Sequence, residues 1–210
     1  MKNATRFREA FFYHFYTLPL CMDIKQLAID KTWTLFLDRD GVINLHYPND
    51  YVKKWSEFYF LEGVMDALKN LSTVFKRVIV VTNQQGVGKK LMTQEDLQTI
   101  HDGMLKEVRK YGGRIHAIYA ATDLIENDTH KLRKPNIGMA LKAKKDFVEI
   151  DFSKSIMVGD TGSDMRFGKN AGMFTVFVGD DSKIKEEEKQ LVDFYFDSLN
   201  EFANSLTHHS

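Results

Sequence analysis

Leu35 to Asn44 runs Leu-Phe-Leu-Asp-Arg-Asp-Gly-Val-Ile-Asn, an apolar stretch that delivers two carboxylates two residues apart, Asp38 and Asp40, and then Gly41. In extended backbone, residues i and i+2 project to one side, so both carboxylates are expected to face one cavity while Arg39 points away. Gly41 lets the chain turn sharply at the strand end, where a side chain would clash. This is the layout of a phosphate-transferring aspartate site, although Asp-x-Asp also occurs in plain turns and calcium loops.

Such a site needs elements to position it. From residue 33 onward, short apolar runs alternate with amphipathic stretches, the pattern of a parallel sheet wrapped by helices. Strands are expected at Trp33 to Leu37, Arg77 to Val81, Ile115 to Ala120, Ser155 to Val158 and Thr175 to Val178, with a short edge strand at Phe194 to Phe196. Helical spacing covers Glu62 to Leu71, Thr93 to Lys110, Ile137 to Phe147 and Asp164 to Ala171, with Thr93 and Asp96 as an N-terminal cap pair and Gly172 as a stop. The fold class is therefore α/β, a Rossmann-like doubly wound parallel sheet, whose ligand sits at the carboxyl ends of the strands.

Those ends are where the polar residues fall. Asp38 and Asp40 follow the first strand, Thr82, Asn83 and Gln84 the second, and Gly159, Asp160 and Asp164 the fourth. Arg133-Lys134-Pro135 precedes a helix, so its cations can swing over the same edge. Each has a plain reading when taken alone: Thr82 and Asn83 as turn caps, Lys134 as a surface lysine, Asp164 as a helix cap, Arg133 and Gln84 as surface contacts. The ordered set is far harder to obtain by chance than any member.

Composition narrows the setting. With 210 residues and 43% hydrophobic side chains the chain can bury a full core. Its 29 basic and 29 acidic residues cancel, so no overall field concentrates it on nucleic acid or an anionic membrane, and any phosphate binding must be local. Cys21 is the only cysteine, which excludes an intrachain disulfide framework and a multi-cysteine zinc site; a reducing cytoplasm is the simplest compartment. Residues 22 to 210 read as a single domain and residues 1 to 21 as an N-terminal extension. The apolar stretch of that extension, Ala10 to Leu20, is too short to span a bilayer and lacks a small-x-small cleavage site. It is read as non-exported, with Met22 as an alternative start. The run Lys183 to Lys189 reads as a solvated helix face or loop. His208 and His209 read as a disordered polar tail rather than a metal site.

The set Asp38-Arg39-Asp40-Gly41-Val42-Ile43-Asn44, Val81-Thr82-Asn83-Gln84-Gln85-Gly86-Val87, Arg133-Lys134-Pro135 and Val158-Gly159-Asp160-Thr161-Gly162-Ser163-Asp164-Met165 resembles the haloacid dehalogenase superfamily of phosphohydrolases, over about residues 33 to 178. The wording is similar to its heptose-1,7-bisphosphate 7-phosphatase and histidinol-phosphate phosphatase branch. The resemblance implies an aspartyl-phosphate mechanism in which Asp38 attacks phosphorus and Asp40 protonates the leaving alkoxide, then activates water. It further implies Mg2+ held by Asp38, the Asp40 main-chain carbonyl and Asp160, with Thr82 and Lys134 on the phosphoryl group and Asp164 orienting Lys134 or a metal-bound water. Asn83, Gln84 and Arg133 would contact substrate.

One departure stands out. The branch carries a zinc loop of cysteines and a histidine just before Arg-Lys-Pro, whereas Thr122 to Leu132 here has His130 and no cysteine, so zinc is expected to be absent. The connections also leave no length for a large cap, which implies an open site, with Tyr47, Tyr51, Trp55, Phe58 and Phe60 either on its rim or in the core. The expected substrate is a small sugar phosphate, with no membrane, no nucleic acid and a monomeric chain. Heptose 1,7-bisphosphate is the first candidate, and three alternatives stay open: a histidinol-phosphate phosphatase, a polynucleotide 3'-phosphatase, disfavoured by the balanced charge, and a non-catalytic phosphate-binding or scaffold protein.

Overall fold

The structure is a computed structural model that describes residues 23 to 207. The extension at 1 to 21, Met22 and the histidines at 208 and 209 lie outside the described residues. Six strands, β1 (Thr34–Leu37), β2 (Arg77–Asn83), β3 (Ala117–Ala121), β4 (Ser155–Gly159), β5 (Phe174–Val178) and β6 (Phe194–Phe196), form one sheet in the order β3-β2-β1-β4-β5-β6. Every pairing is parallel.

Alternation along the strands divides the core in two. Leu35, Leu37, Val78, Val80, Ile156 and Val158 face one way and pack with α1 (Val64–Val74), α2 (Gln94–Lys110) and α6 (Leu199–Thr207). Phe36, Ile79, Val81 and Met157 face the other way, toward α3 (Gly138–Asp146) and α4 (Gly162–Ala171). Both faces are covered, which is why β1 reads as an unbroken apolar run and is buried at all four positions. A one-turn helix, α5 (Glu186–Lys189), precedes β6.

Local chemistry accounts for the element ends. Thr93 and Asp96 form the expected reciprocal capping box on α2, and Gly172 ends α4 at φ 82°. α4 starts two residues before the expected Asp164, because Thr161 and Asp164 form a capping box of their own. β3 starts at Ala117 rather than Ile115: the Val78 N–H donates to the His116 ring at 3.0 Å, so an imidazole takes the place of a ladder carbonyl. β2 runs on to Asn83, which brings Thr82 and Asn83 into the strand itself. The charged run differs from its expected solvated face at Glu188, which is buried and paired with Arg166. Among the described residues no helix is long and apolar enough to cross a membrane.

The chain steps from β1 to β2 to β3 on one side, then returns to β4 on the other. The order in which strands are added therefore reverses between β1 and β4, and the crevice at their carboxyl ends is the natural place for a ligand.

Candidate active site

Lys134 organises the floor of that crevice. It is 3% exposed, and its ammonium donates to the Val81 carbonyl at 2.9 Å and pairs with Asp38 Oδ1 at 2.8 Å and Asp164 Oδ1 at 2.6 Å. Three donors thus meet three acceptors. Burial opposes the charge, but Asp164 and Asp38 outweigh it and push the Lys134 pKa up to about 12. Asn83 holds the lysine's backbone: its Oδ1 accepts from Lys134 N at 3.0 Å and its Nδ2 donates to Lys134 O at 3.4 Å. Asp164 serves two structures at once, with one oxygen on Lys134 and the other accepting from the Thr161 backbone and hydroxyl.

The carboxylates outnumber this cation. Asp38, Asp160 and Asp164 each bring an oxygen within 4.8 Å of the others. Burial pushes Asp38 up to about 7 despite Lys134, and burial with the charges of Asp164 and Asp38 pushes Asp160 up to about 8. Asp160 Oδ1 is buried with no protein partner. An orphaned carboxylate oxygen among hard oxygen donors suits Mg2+, so these residues fit the metal that the sequence pattern implies. A stability effect follows. Both carboxyls are raised above their ordinary 3.8, so the folded metal-free chain binds protons that the unfolded chain has released. Stability should fall as pH rises from about 5 through about 8, by less than the two carboxyls alone would give, because the buried His101, whose pKa is depressed, works in the opposite sense. Melting at both pH values with a chelator should show the drop, and Mg2+ should abolish most of it. Equal melting temperatures in chelator would contradict this electrostatic account.

Asp40 lies beside this cluster and is held differently. Arg39 donates one terminal nitrogen to both of its oxygens at 3.0 Å, Asn44 donates at 2.9 Å and Gln84 at 2.7 Å. Burial opposes ionisation, yet Arg39, Asn44 and Gln84 together hold the carboxyl below the usual range. Two expectations are corrected here. Arg39 does not point away from the site but is fully buried against Asp40. Gln84 does not face substrate; it is fully buried and donates to Asp40 and to Thr82 Oγ1. His101, 3.1 Å from Arg39, was not expected at all. The available signal was its place on the buried stripe of α2 with Leu97, Ile100, Met104 and Val108.

Gly41 has φ 87°, and a Cβ there would sit 2.0 Å from Asp160 Oδ2. Gly41→Ala should therefore cost roughly 1–3 kcal/mol from the backbone alone and also displace Asp160. Thermal melting and phosphatase assay should show both losses; an unchanged rate would exclude this packing of Asp160.

A cavity of about 580 Å³ opens above the cluster. Asp38, Asp40, Thr82, Asn83, Lys134 and Asp160 lie at its base, with Tyr47, Tyr51, Lys89 and Arg133 around it. Thr82 accepts from Gln84, which leaves its own proton free to donate. One terminal nitrogen of Arg133 has no protein partner. The aromatic residues divide: Tyr47 and Tyr51 reach the cavity, whereas Trp55, Phe58 and Phe60 stack on one another, with ring centroids 5.0–6.4 Å apart. In the stretch before Arg133, Asp128 accepts from Leu132 N and Arg133 N, which gives this aspartate a loop-ordering role. A hollow of about 640 Å³ at the opposite edge of the sheet has no carboxylate in its lining and is remote from this chemistry.

Comparison with known proteins agrees with this geometry. The family Polynucleotide kinase 3 phosphatase matches residues 33–207. The D-glycero-alpha-D-manno-heptose-1,7-bisphosphate 7-phosphatase of Campylobacter jejuni is 36% identical over 176 residues, covering 83% of this chain and 95% of that protein. The corresponding enzyme of Mycobacterium bovis is 34% identical over 84% of this chain and 92% of its own length. Among solved structures, D,D-heptose 1,7-bisphosphate phosphatase from B. bronchiseptica, complexed with magnesium and phosphate, superposes with a TM-score of 0.72 at 25% identity, covering 83% of this chain and 97% of that one. The chain belongs to the Polynucleotide kinase 3 phosphatase family within the haloacid dehalogenase superfamily, and it is a phosphoric monoester hydrolase.

Proposed function

We propose that the protein is a magnesium-dependent phosphatase that works through an aspartyl-phosphate and removes the 7-phosphate of a D-glycero-D-manno-heptose 1,7-bisphosphate. The observation that carries the mechanism is Lys134 bridging Asp38 and Asp164 at the base of an open cavity, beside the orphaned oxygen of Asp160. The named relatives support the substrate.

Asp38 attacks phosphorus, and the phosphorus–oxygen bond to the sugar breaks as its phosphoryl bond forms. Asp40, whose carboxyl Arg39, Asn44 and Gln84 hold below the usual range, must first take up a proton; it gives this proton to the departing alkoxide and then takes one from the water that hydrolyses the acyl phosphate. Lys134 and the Thr82 hydroxyl donate to phosphoryl oxygens as charge moves toward the leaving group. Asp164 holds Lys134 in place, and Asn83 fixes its backbone. Asp38 and Asp160, with the Asp40 carbonyl, would hold Mg2+, which when bound neutralises the carboxylates and lets an anionic nucleophile approach an anionic ester. Arg133 lines the cavity wall, where its guanidinium is placed to meet a second anionic group. The same reading takes residues 22 to 210 as one catalytic domain acting as a monomer.

The test is phosphate release with Mg2+ and no added zinc, across heptose 1,7-bisphosphate, histidinol phosphate, common sugar phosphates and a 3'-phosphorylated oligonucleotide. Selective turnover of the heptose bisphosphate is expected. Preference for the oligonucleotide, with steep salt dependence, would overturn the substrate. Absence of release from every ester would overturn the mechanism.

A further inference from the structure

Arg39 heads the fully buried side chains by size. One terminal nitrogen donates to both oxygens of Asp40, the other lies 3.1 Å from His101 Nε2, and Phe58 stands 6.0 Å from the guanidinium carbon. A guanidinium has donors only, so His101 Nε2 is the acceptor and the imidazole proton sits on Nδ1. Burial, together with the Arg39 charge, holds His101 neutral, down at about 3. Burying a cation is expensive, and a hydrocarbon in its place would extend the neighbouring aromatic cluster.

What the cation accomplishes is orientation. The Asp40 side chain keeps 23% exposure and lines the cavity. An acid that serves a leaving oxygen must stand within hydrogen-bond reach of it, and aspartate on a turn can rotate out of that position. Arg39 alone would be a loose restraint, because its side chain has many rotamers. His101, sixty-two residues away on α2, ties the far end down.

We infer that Arg39 and His101 act as a positioning pair for Asp40, in which His101 anchors one arm of the guanidinium and the other arm keeps the Asp40 carboxylate aimed at the leaving-group oxygen. This rests on the role proposed above for Asp40. It has a chemical signature: an alkoxide departs slowly without a proton, whereas 4-nitrophenolate departs without help. Misplacing Asp40 should therefore slow the first half-reaction for a sugar phosphate and spare it for an aryl phosphate.

The experiment measures single-turnover release of the alcohol or phenol, with Mg2+, from heptose 1,7-bisphosphate and from 4-nitrophenyl phosphate. Wild type, His101→Leu, His101→Gln and Arg39→Lys are compared, with melting temperatures as a control. His101→Leu should lose roughly 10–100-fold on the sugar ester, part of the usual contribution of a placed acid, and under about 3-fold on the aryl ester. His101→Gln, which restores an acceptor, should recover most of the loss. Arg39→Lys, whose ammonium cannot span both partners, should repeat the ester-selective loss and decides the matter if His101→Leu does not fold. Equal losses on both esters, or no recovery with glutamine, would overturn the positioning pair alone. A wild-type protein inactive on both esters would overturn the phosphatase mechanism and this inference with it.

Discussion

Asp38→Asn should lower turnover by roughly 10⁴-fold or more while leaving the chain folded. An amide cannot form the covalent bond to phosphorus, so the loss falls on the chemical step rather than on substrate binding. The fold has reason to survive. The amide oxygen can still accept from Lys134, which keeps Asp164 and the Val81 carbonyl as partners. Removing one member of a crowded carboxylate group also relieves repulsion, since Asp38 contributes to the raised pKa of Asp160. The metal-free variant should therefore melt at or above the wild-type temperature. Retention of the full rate would exclude Asp38 as nucleophile, and a large drop in melting temperature would show that Asp38 is needed more as a counter-charge than the geometry suggests.

Lys134→Met should act in the opposite sense on stability. It leaves Asp38, Asp164 and the Val81 carbonyl without their shared donor at the largely buried base of the cavity. Removing one partner of a buried ion pair costs about 3–5 kcal/mol, a large part of the roughly 5–15 kcal/mol that holds a domain together. For a chain of this size that predicts a fall in melting temperature of roughly 6–20 °C in chelator. Mg2+ should return part of it, because a divalent cation meets the same carboxylates. Turnover should fall by roughly 10²–10³-fold even when the variant is fully folded, as for other donors placed on developing negative charge. A variant as stable as wild type would mean that Asp164 and Asp38 find other partners on relaxation.

The strands and most of the cluster were legible in the sequence for a simple reason: parallel strands covered on both faces must be continuously apolar, and the residues just after them must share an edge. Asp38, Thr82 and Asp160 follow from that geometry, and the Thr93 to Asp96 box from capping chemistry. The misread residues lie where the regular period stops. β1 ends at Leu37, so the alternation rule no longer governs Asp38-Arg39-Asp40, and the long Arg39 side chain turns back under the carboxylate. Gln84 lies just past the end of β2, where no period says whether it faces the cavity or the interior. His101 and Glu188 reach their partners, Arg39 and Arg166, across long loops of chain, and no local spacing encodes such meetings. Asp164 was open to two readings, helix cap and partner of Lys134, and its two oxygens accommodate both.

The strand order carries a further consequence, for how the molecule breathes. The site is built from β1, β2 and β4, all interior, while β3 and β6 form the two borders. Lys134 arrives on the connection that leaves β3, yet its bonds to Val81 and Asn83 tie it to β2. Amides of β6, only three residues long, should exchange with solvent deuterium through local fraying, whereas those of β1 and β4 should exchange only when the whole domain opens. Thermal fluctuation can then loosen the borders of the sheet many times over without ever disassembling the place where the ester is cut.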